Sequence, residues 1–237
     1  MVASSVPHTE ILEFVERTLD PGFPLTLIET TGDIRPNGLL RDGDADANFF
    51  QHVPYLRAEE AQLGVSLAVI AAVHVEPLGI YSRRLKTLEA VPREARVALP
   101  NNVPNFSWGL KLLEASGLIR LHSGGDGTLA TVQDIAGNQR DLRFVEVASA
   151  QLPRSLDDVD VAVINSNYAL ESGLDPARNA LALERAEGNP YANVLVTTQA
   201  LAQDERILRL ASLLTSAEVA GFISERCRSL VIHGRRA

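Results

Sequence analysis

Residues 66–73 read Ser-Leu-Ala-Val-Ile-Ala-Ala-Val, a nearly continuous apolar run. A strand that is apolar on both faces must be covered on both faces, which calls for a sheet packed between helices. The rest of the chain fits that demand. Strand-type runs alternate with helix-period runs, the pattern of an α/β protein with mostly parallel sheets. After Pro7, residues Ile11, Leu12, Val15 and Leu19 lie on one helical face. Phe23, Leu25 and Leu27 alternate as in a strand, and residues 77–81 and 95–99 read as further strands. A helix is expected over 106–115, ended by Gly117. Strands are expected over 142–147, 159–164 and 193–197, with two closing helices over 204–214 and 216–226.

The chain has 237 residues and a formal charge of −8. That length allows one large domain or two lobes. The acidic balance argues against nucleic acid, whose phosphates call for clustered Lys and Arg. The single cysteine, Cys227, excludes an intramolecular disulfide and is expected as a small buried hydrophobe. No stretch is long and apolar enough to span a bilayer, and the first residues lack the basic and hydrophobic regions of a secretion signal.

Motifs for chemistry are scarce. Residues 123–127, Ser-Gly-Gly-Asp-Gly, lack the Gly-Lys-Ser/Thr ending of a phosphate loop and read as a surface turn. Asp42, Asp44 and Asp46 alternate as in a calcium loop, but the closing Glu is missing, so a solvated acidic turn is preferred. His8, His52, His74, His122 and His233 are scattered without zinc spacing. No catalytic residue, metal set or cofactor fingerprint is expected.

Aromatic placement carries more. The chain has only seven Phe, four Tyr and one Trp, yet Phe49, Phe50 and Tyr55 fall together beside Gln51 and His52. Rings with polar tips suit a small amphipathic ligand. The competing reading makes the two Phe core residues and gives His52 a turn-capping role. Asparagines form a second pattern. Asn101, Asn102 and Asn105 follow one strand end, Asn165 and Asn167 follow another, and Asn193 begins a third strand. Open α/β sheets bind ligands beyond the carboxyl ends of their strands.

Several long motifs occur in order: Pro7-His-Thr-Glu-Ile-Leu12, Asp46-Ala-Asn-Phe-Phe-Gln-His-Val-Pro-Tyr-Leu56, His74-Val-Glu-Pro-Leu-Gly-Ile-Tyr81, Ala162-Val-Ile-Asn-Ser-Asn-Tyr-Ala169 and Pro190-Tyr-Ala-Asn-Val194. Through them the chain resembles the substrate-binding lipoproteins of bacterial methionine ABC importers, the NlpA lipoprotein family. The resemblance implies an α/β, two-lobed periplasmic-binding-protein fold of the second type, with residues 1–83 plus 186–237 as one lobe and 84–185 as the other. It implies a ligand held in a cleft by hinge closure, with Phe50, His52 and Tyr55 from one lobe, Asn165 from the other and Asn193 near the second crossover. It further implies a monomer that delivers its ligand to an ABC permease from outside the cytoplasm, and a native precursor with a signal peptide and a lipidated cysteine.

Two positions depart from the family. Asp33 stands where a tyrosine is usual, and Trp108 stands where an arginine pairs with the ligand's α-carboxylate. Asn105 and the helix start after it offer a weaker anion site. Without the bidentate arginine, a ligand more apolar or more cationic than methionine is expected. Arg35 standing in for the lost cation is the alternative. An enzyme or sensor on the same fold, with His52 as base and Asp33 as its partner, is the other functional class to be tested.

Overall fold

The computed structural model describes residues 1–30, 34–122, 129–185 and 189–226, together with the backbone of 231–236. Two compact units divide the chain, Met1–Glu76 with Ala186–Ala237, and Pro77–Arg185. Cys227, Asp33 and the 123–127 turn lie outside the described residues.

The first unit opens with β1 (Val2–Ala3). Helical turns over Ser5–Thr9 lead into α1 (Glu10–Phe14) and on through Val15–Leu19. Ile11, Leu12 and Val15 are fully buried, as their spacing predicts. Next come β2 (Ile28–Glu29), α2 (Pro36–Asp42), β3 (Ala47–His52), α3 (Val53–Leu63) and β4 (Leu67–Val75). β4 is the apolar run that calls for a covered sheet.

The second unit holds β5 (Leu78–Tyr81), β6 (Arg96–Pro100), α4 (Val103–Ala115), β7 (Arg120–Leu121), β8 (Ile135–Gly137) and β9 (Arg143–Val147). It continues with α5 (Leu152–Ser155), β10 (Val161–Asn165), α6 (Ser166–Glu171), α7 (Pro176–Asn179) and β11 (Ala182–Leu183). The chain then re-enters the first unit with β12 (Ala192–Thr198), α8 (Glu205–Leu214), α9 (Ala217–Arg226) and β13 (Val231–Arg236).

In the first unit the strand order is β13-β4-β12-β3-β1-β2. β1 pairs parallel with β2 and β3, whereas β12 runs antiparallel to β3 and to β4. The sheet is therefore mixed rather than mostly parallel. β4 leads the chain out of the unit and β12 leads it back, so these neighbours run in opposite directions. Leu40, Leu56, Leu67, Val194 and Val196 pack into one core cluster against this sheet. α8 buries Ile207, Leu210, Ala211 and Leu214, the i, i+3, i+4, i+7 stripe of a core-facing helix. Asp204 caps it by accepting from the Arg206 N–H at 2.9 Å, a bond type that contributes about 1 kcal/mol.

In the second unit the order is β11-β5-β10-β6-β9, with β10, β6 and β9 parallel. α4 starts three residues earlier than the sequence predicts, because Asn102 caps it and Pro104 sits in its first turn, where a missing N–H costs nothing. It ends as expected at Gly117, whose φ of +73° favours glycine. Gly109 lets the helix lie close on β6, since a Cβ there would come within 2.6 Å of Leu99.

The expected strand over Phe23–Leu27 does not form. Pro24 has no N–H for a ladder, and the Leu25 N–H turns back to the Phe23 carbonyl at 2.9 Å. Pairing begins only at Ile28. Among the described residues no single helix is long and apolar enough to cross a membrane.

Candidate functional site

β3 and α3 meet at His52, and that junction builds the first unit's share of the site. His52 is the N-cap of α3. Its Nδ1 accepts from the Tyr55 N–H at 3.1 Å, the role a Ser or Asp side chain usually fills. The bond fixes the imidazole and draws Tyr55 beside it. The two rings stand 6.2 Å apart at 89°, and Phe50 meets Tyr55 edge-on at 5.8 Å. Tyr191, just before β12, adds a fourth ring 5.1 Å from His52. Edge-to-face contacts of this kind hold aromatic walls rigid. Asn193 follows in β12, opposite His52 on one side and His74 on the other.

A bulge shapes this strand. Val194 opposes Gln51 and Leu195 opposes Phe49, so Phe50 has no partner in the β12 register. Asn48 and Gln51, three apart, consequently reach the same residue, Asn37 on α2. The Asn37 Nδ2–H donates to Gln51 at 2.9 Å, and Asn48 and Gln51 donate to the Asn37 Oδ1 at 2.9 and 2.6 Å. All three side chains are buried. Phe49, fully buried, instead packs edge-on against His8 at 4.5 Å and His74 at 5.5 Å.

His8 and His74 share Glu76. The His74 Nε2 is 3.0 Å from the Glu76 Oε1, and the His8 Nε2 is 3.5 Å from the same oxygen. Burial drives the His8 pKa down to about 4 and that of His74 to about 3, so both rings are neutral near pH 7. Burial raises the Glu76 carboxyl above the usual carboxylate range, while His8 and the Asn193 amide oppose the rise.

In the second unit, the parallel neighbours β6 and β10 run with Ala98 opposite Ala162, so their carboxyl ends reach the same edge of the sheet. Asn102 follows β6 as the cap of α4, accepting from the Asn105 N–H at 3.1 Å and donating to the Ser149 hydroxyl at 3.2 Å. Asn101 is exposed and Asn105 half-buried. Asn165 ends β10, is 7 % exposed, and its buried Oδ1 has no hydrogen-bond partner. A buried acceptor left unpaired costs about 1–3 kcal/mol, and a ligand donor would remove that cost. Trp108, one turn into α4, is buried, and its indole N–H donates to the Glu184 Oε1 at 2.8 Å. The other Glu184 oxygen accepts from the Leu78 N–H at 3.3 Å, and Leu78 lies opposite Asn165 in the sheet.

Thus Phe50, His52, Tyr55 and Asn193 come together in the first unit. In the second, Trp108 and Asn165 are joined through Glu184 and Leu78. Tyr191 and Glu184 escaped the sequence reading. Tyr191 lies two residues before Asn193 in the motif that drew attention to Asn193. Glu184 carries no local signal, being 76 residues from the indole it accepts from.

Rings and amides of this kind suit the holding of a small ligand, and the chain's relatives are substrate-binding proteins rather than enzymes. The chain belongs to the NlpA lipoprotein family, whose model matches residues 1–234. It is 39% identical over 223 residues to the membrane lipoprotein TpN32 of Treponema pallidum (strain Nichols), covering 94% of this chain and 82% of that one. It is 38% identical over 200 residues to the D-methionine-binding lipoprotein MetQ of Escherichia coli (strain K12), covering 84% and 73%. Among solved structures it resembles a nutrient-binding protein from Burkholderia cenocepacia bound to methionine, with a TM-score of 0.92, 36% identity and 98% of each chain covered.

Proposed function

We propose that this protein is the substrate-binding component of an ABC importer, capturing methionine or a related small amphipathic molecule outside the cytoplasm and passing it to a permease. The observation that carries this reading is the ring-walled corner of Phe50, His52, Tyr55 and Tyr191 in a chain whose relatives are named as methionine-binding lipoproteins. Thioethers are favourable guests for ring faces and edges. The two units act as two lobes. Asn193 joins the rings as a ligand contact on the first lobe, and Asn105, Trp108 and Asn165 contribute from the second. The protein works as a monomer, and its precursor carries a signal peptide and a lipidated cysteine.

The ligand's charge follows from Trp108. A guanidinium there would pair with an α-carboxylate. The indole cannot, because its one N–H is spent on Glu184. With a glutamate holding the indole at this position, a carboxylate is disfavoured and a neutral or cationic end is favoured. Calorimetry with L-methionine, D-methionine and methionine amide tests this. The amide is expected to bind at least about tenfold more tightly than either acid, roughly 1.4 kcal/mol, and Trp108→Arg is expected to reverse the order. Submicromolar binding of methionine by the unaltered protein would overturn the altered-ligand reading, and binding of none of the three would overturn the methionine-like substrate class.

A further inference from the structure

We propose that His8, His74 and Glu76 form a zinc-binding site inside the first unit, next to the ring-walled corner across Asn193. The three residues offer one ligand atom each, and these atoms all lie within 4.8 Å of one another. Zinc holds nitrogen and oxygen ligands at about 2.0–2.2 Å in a tetrahedral array, which sets neighbouring ligand atoms about 3.4 Å apart. The separations from the Glu76 Oε1 are 3.5 Å to the His8 Nε2 and 3.0 Å to the His74 Nε2. Both separations from the carboxylate are close to the tetrahedral value, and the third lies within 4.8 Å.

The polar inventory points the same way. His8 is fully buried, and its Nε2 makes no well-formed hydrogen bond, with the Glu76 Oε1 at 3.5 Å. Its other nitrogen, Nδ1, is held by the Ser4 hydroxyl at 2.5 Å. A ligating histidine is characteristically fixed in this way through the nitrogen that does not bind metal. The anchored ring turns its Nε2 toward a carboxylate oxygen, and with the Nδ1–H donating to Ser4 a cation between them satisfies both groups. Phe49 covers both rings edge-on. The Asn193 carboxamide engages His8 and Glu76 and borders the same space.

The donor set selects the metal class. Two imidazoles and one carboxylate suit zinc and its first-row neighbours, whereas magnesium and calcium need more oxygen ligands than this interior provides. All three ligands are buried, and the fourth position is left to a water or to the Asn193 carboxamide oxygen.

The test uses the full chain, produced in zinc-supplemented culture and desalted in the presence of a chelator. Elemental analysis is expected to find one equivalent of zinc in the unaltered protein. Glu76→Gln and His74→Phe should lower retention about tenfold or more. Zinc in the unaltered protein no higher than in the two variants would overturn the site. Should the variants fail to fold, cobalt substitution of the unaltered protein decides. Intense visible bands of a four-coordinate nitrogen–oxygen site support the proposal, and a pale six-coordinate spectrum or no uptake overturns it.

Discussion

Asn37, Asn48 and Gln51 form one buried polar group around β3, and His8, His74 and Glu76 form another, with Phe49 of the same strand packed on its rings. The amides are joined by four hydrogen bonds, with donors and acceptors matched among three side chains. The histidine group leaves the His74 Nδ1 without a hydrogen bond and the His8 Nε2 with only a loose approach to Glu76 at 3.5 Å. Buried polar groups are costly unless satisfied. A closed network of neutral amides repays its burial by fixing strand and helix together. A group with open valences repays nothing in that form. The difference separates a polar cluster that is part of the scaffold from one that is poised for something it must hold.

The contrast can be broken at three points. Phe49→Ala should have the largest effect, a loss of about 3–5 kcal/mol, because it opens a cavity beneath both histidine rings where a fully buried side chain stood. Urea unfolding at constant slope measures it. Gln51→Ala should cost about 3 kcal/mol. Three bonds disappear, and Asn37 and Asn48 are left with buried atoms unpaired. A loss under about 0.5 kcal/mol would mean that the amides are incidental to the scaffold. The smallest change is expected from the double variant His74→Phe with Glu76→Met, measured on metal-free protein. Replacing an incompletely paired polar couple by apolar groups of similar size should alter stability by less than about 1 kcal/mol. A cost as large as that of Gln51→Ala would show that the two clusters do the same structural work.

Much of the scaffold was readable in the chain. The apolar run inside β4, the α8 stripe and the Gly117 stop all rest on local patterning, and they form close to where that patterning puts them. The misses share a physical cause. α3 has no clear apolar stripe, burying only Leu56 and Glu60, so its start is marked by a histidine cap rather than by periodicity. β13 follows from pairing with β4 and went unanticipated. The strand assigned to Phe23–Leu27 honoured alternation and ignored Pro24. For the candidate site, the ring cluster was legible because its members are adjacent in sequence. The meeting of His8 with His74 depends on where the N-terminal helical turns pack, and the pairing of Trp108 with Glu184 depends on sheet order. Neither leaves a trace in spacing.

The unpaired Phe50 makes β3 a strand of changed parity. Side chains in a regular strand alternate, so residues three apart face opposite ways. One supernumerary residue lets Asn48 and Gln51 meet on Asn37, and lets the aromatic and amide vocabularies of a six-residue segment be read from different sides of the sheet. Deleting Phe50 would remove one ring and the bulge with it, yet Gln51 and His52 would keep their faces, because Asn48 and Gln51 would then stand two apart in a regular strand. The bulge is thus a place where one ring is added to the strand while the faces on either side of it stay in step.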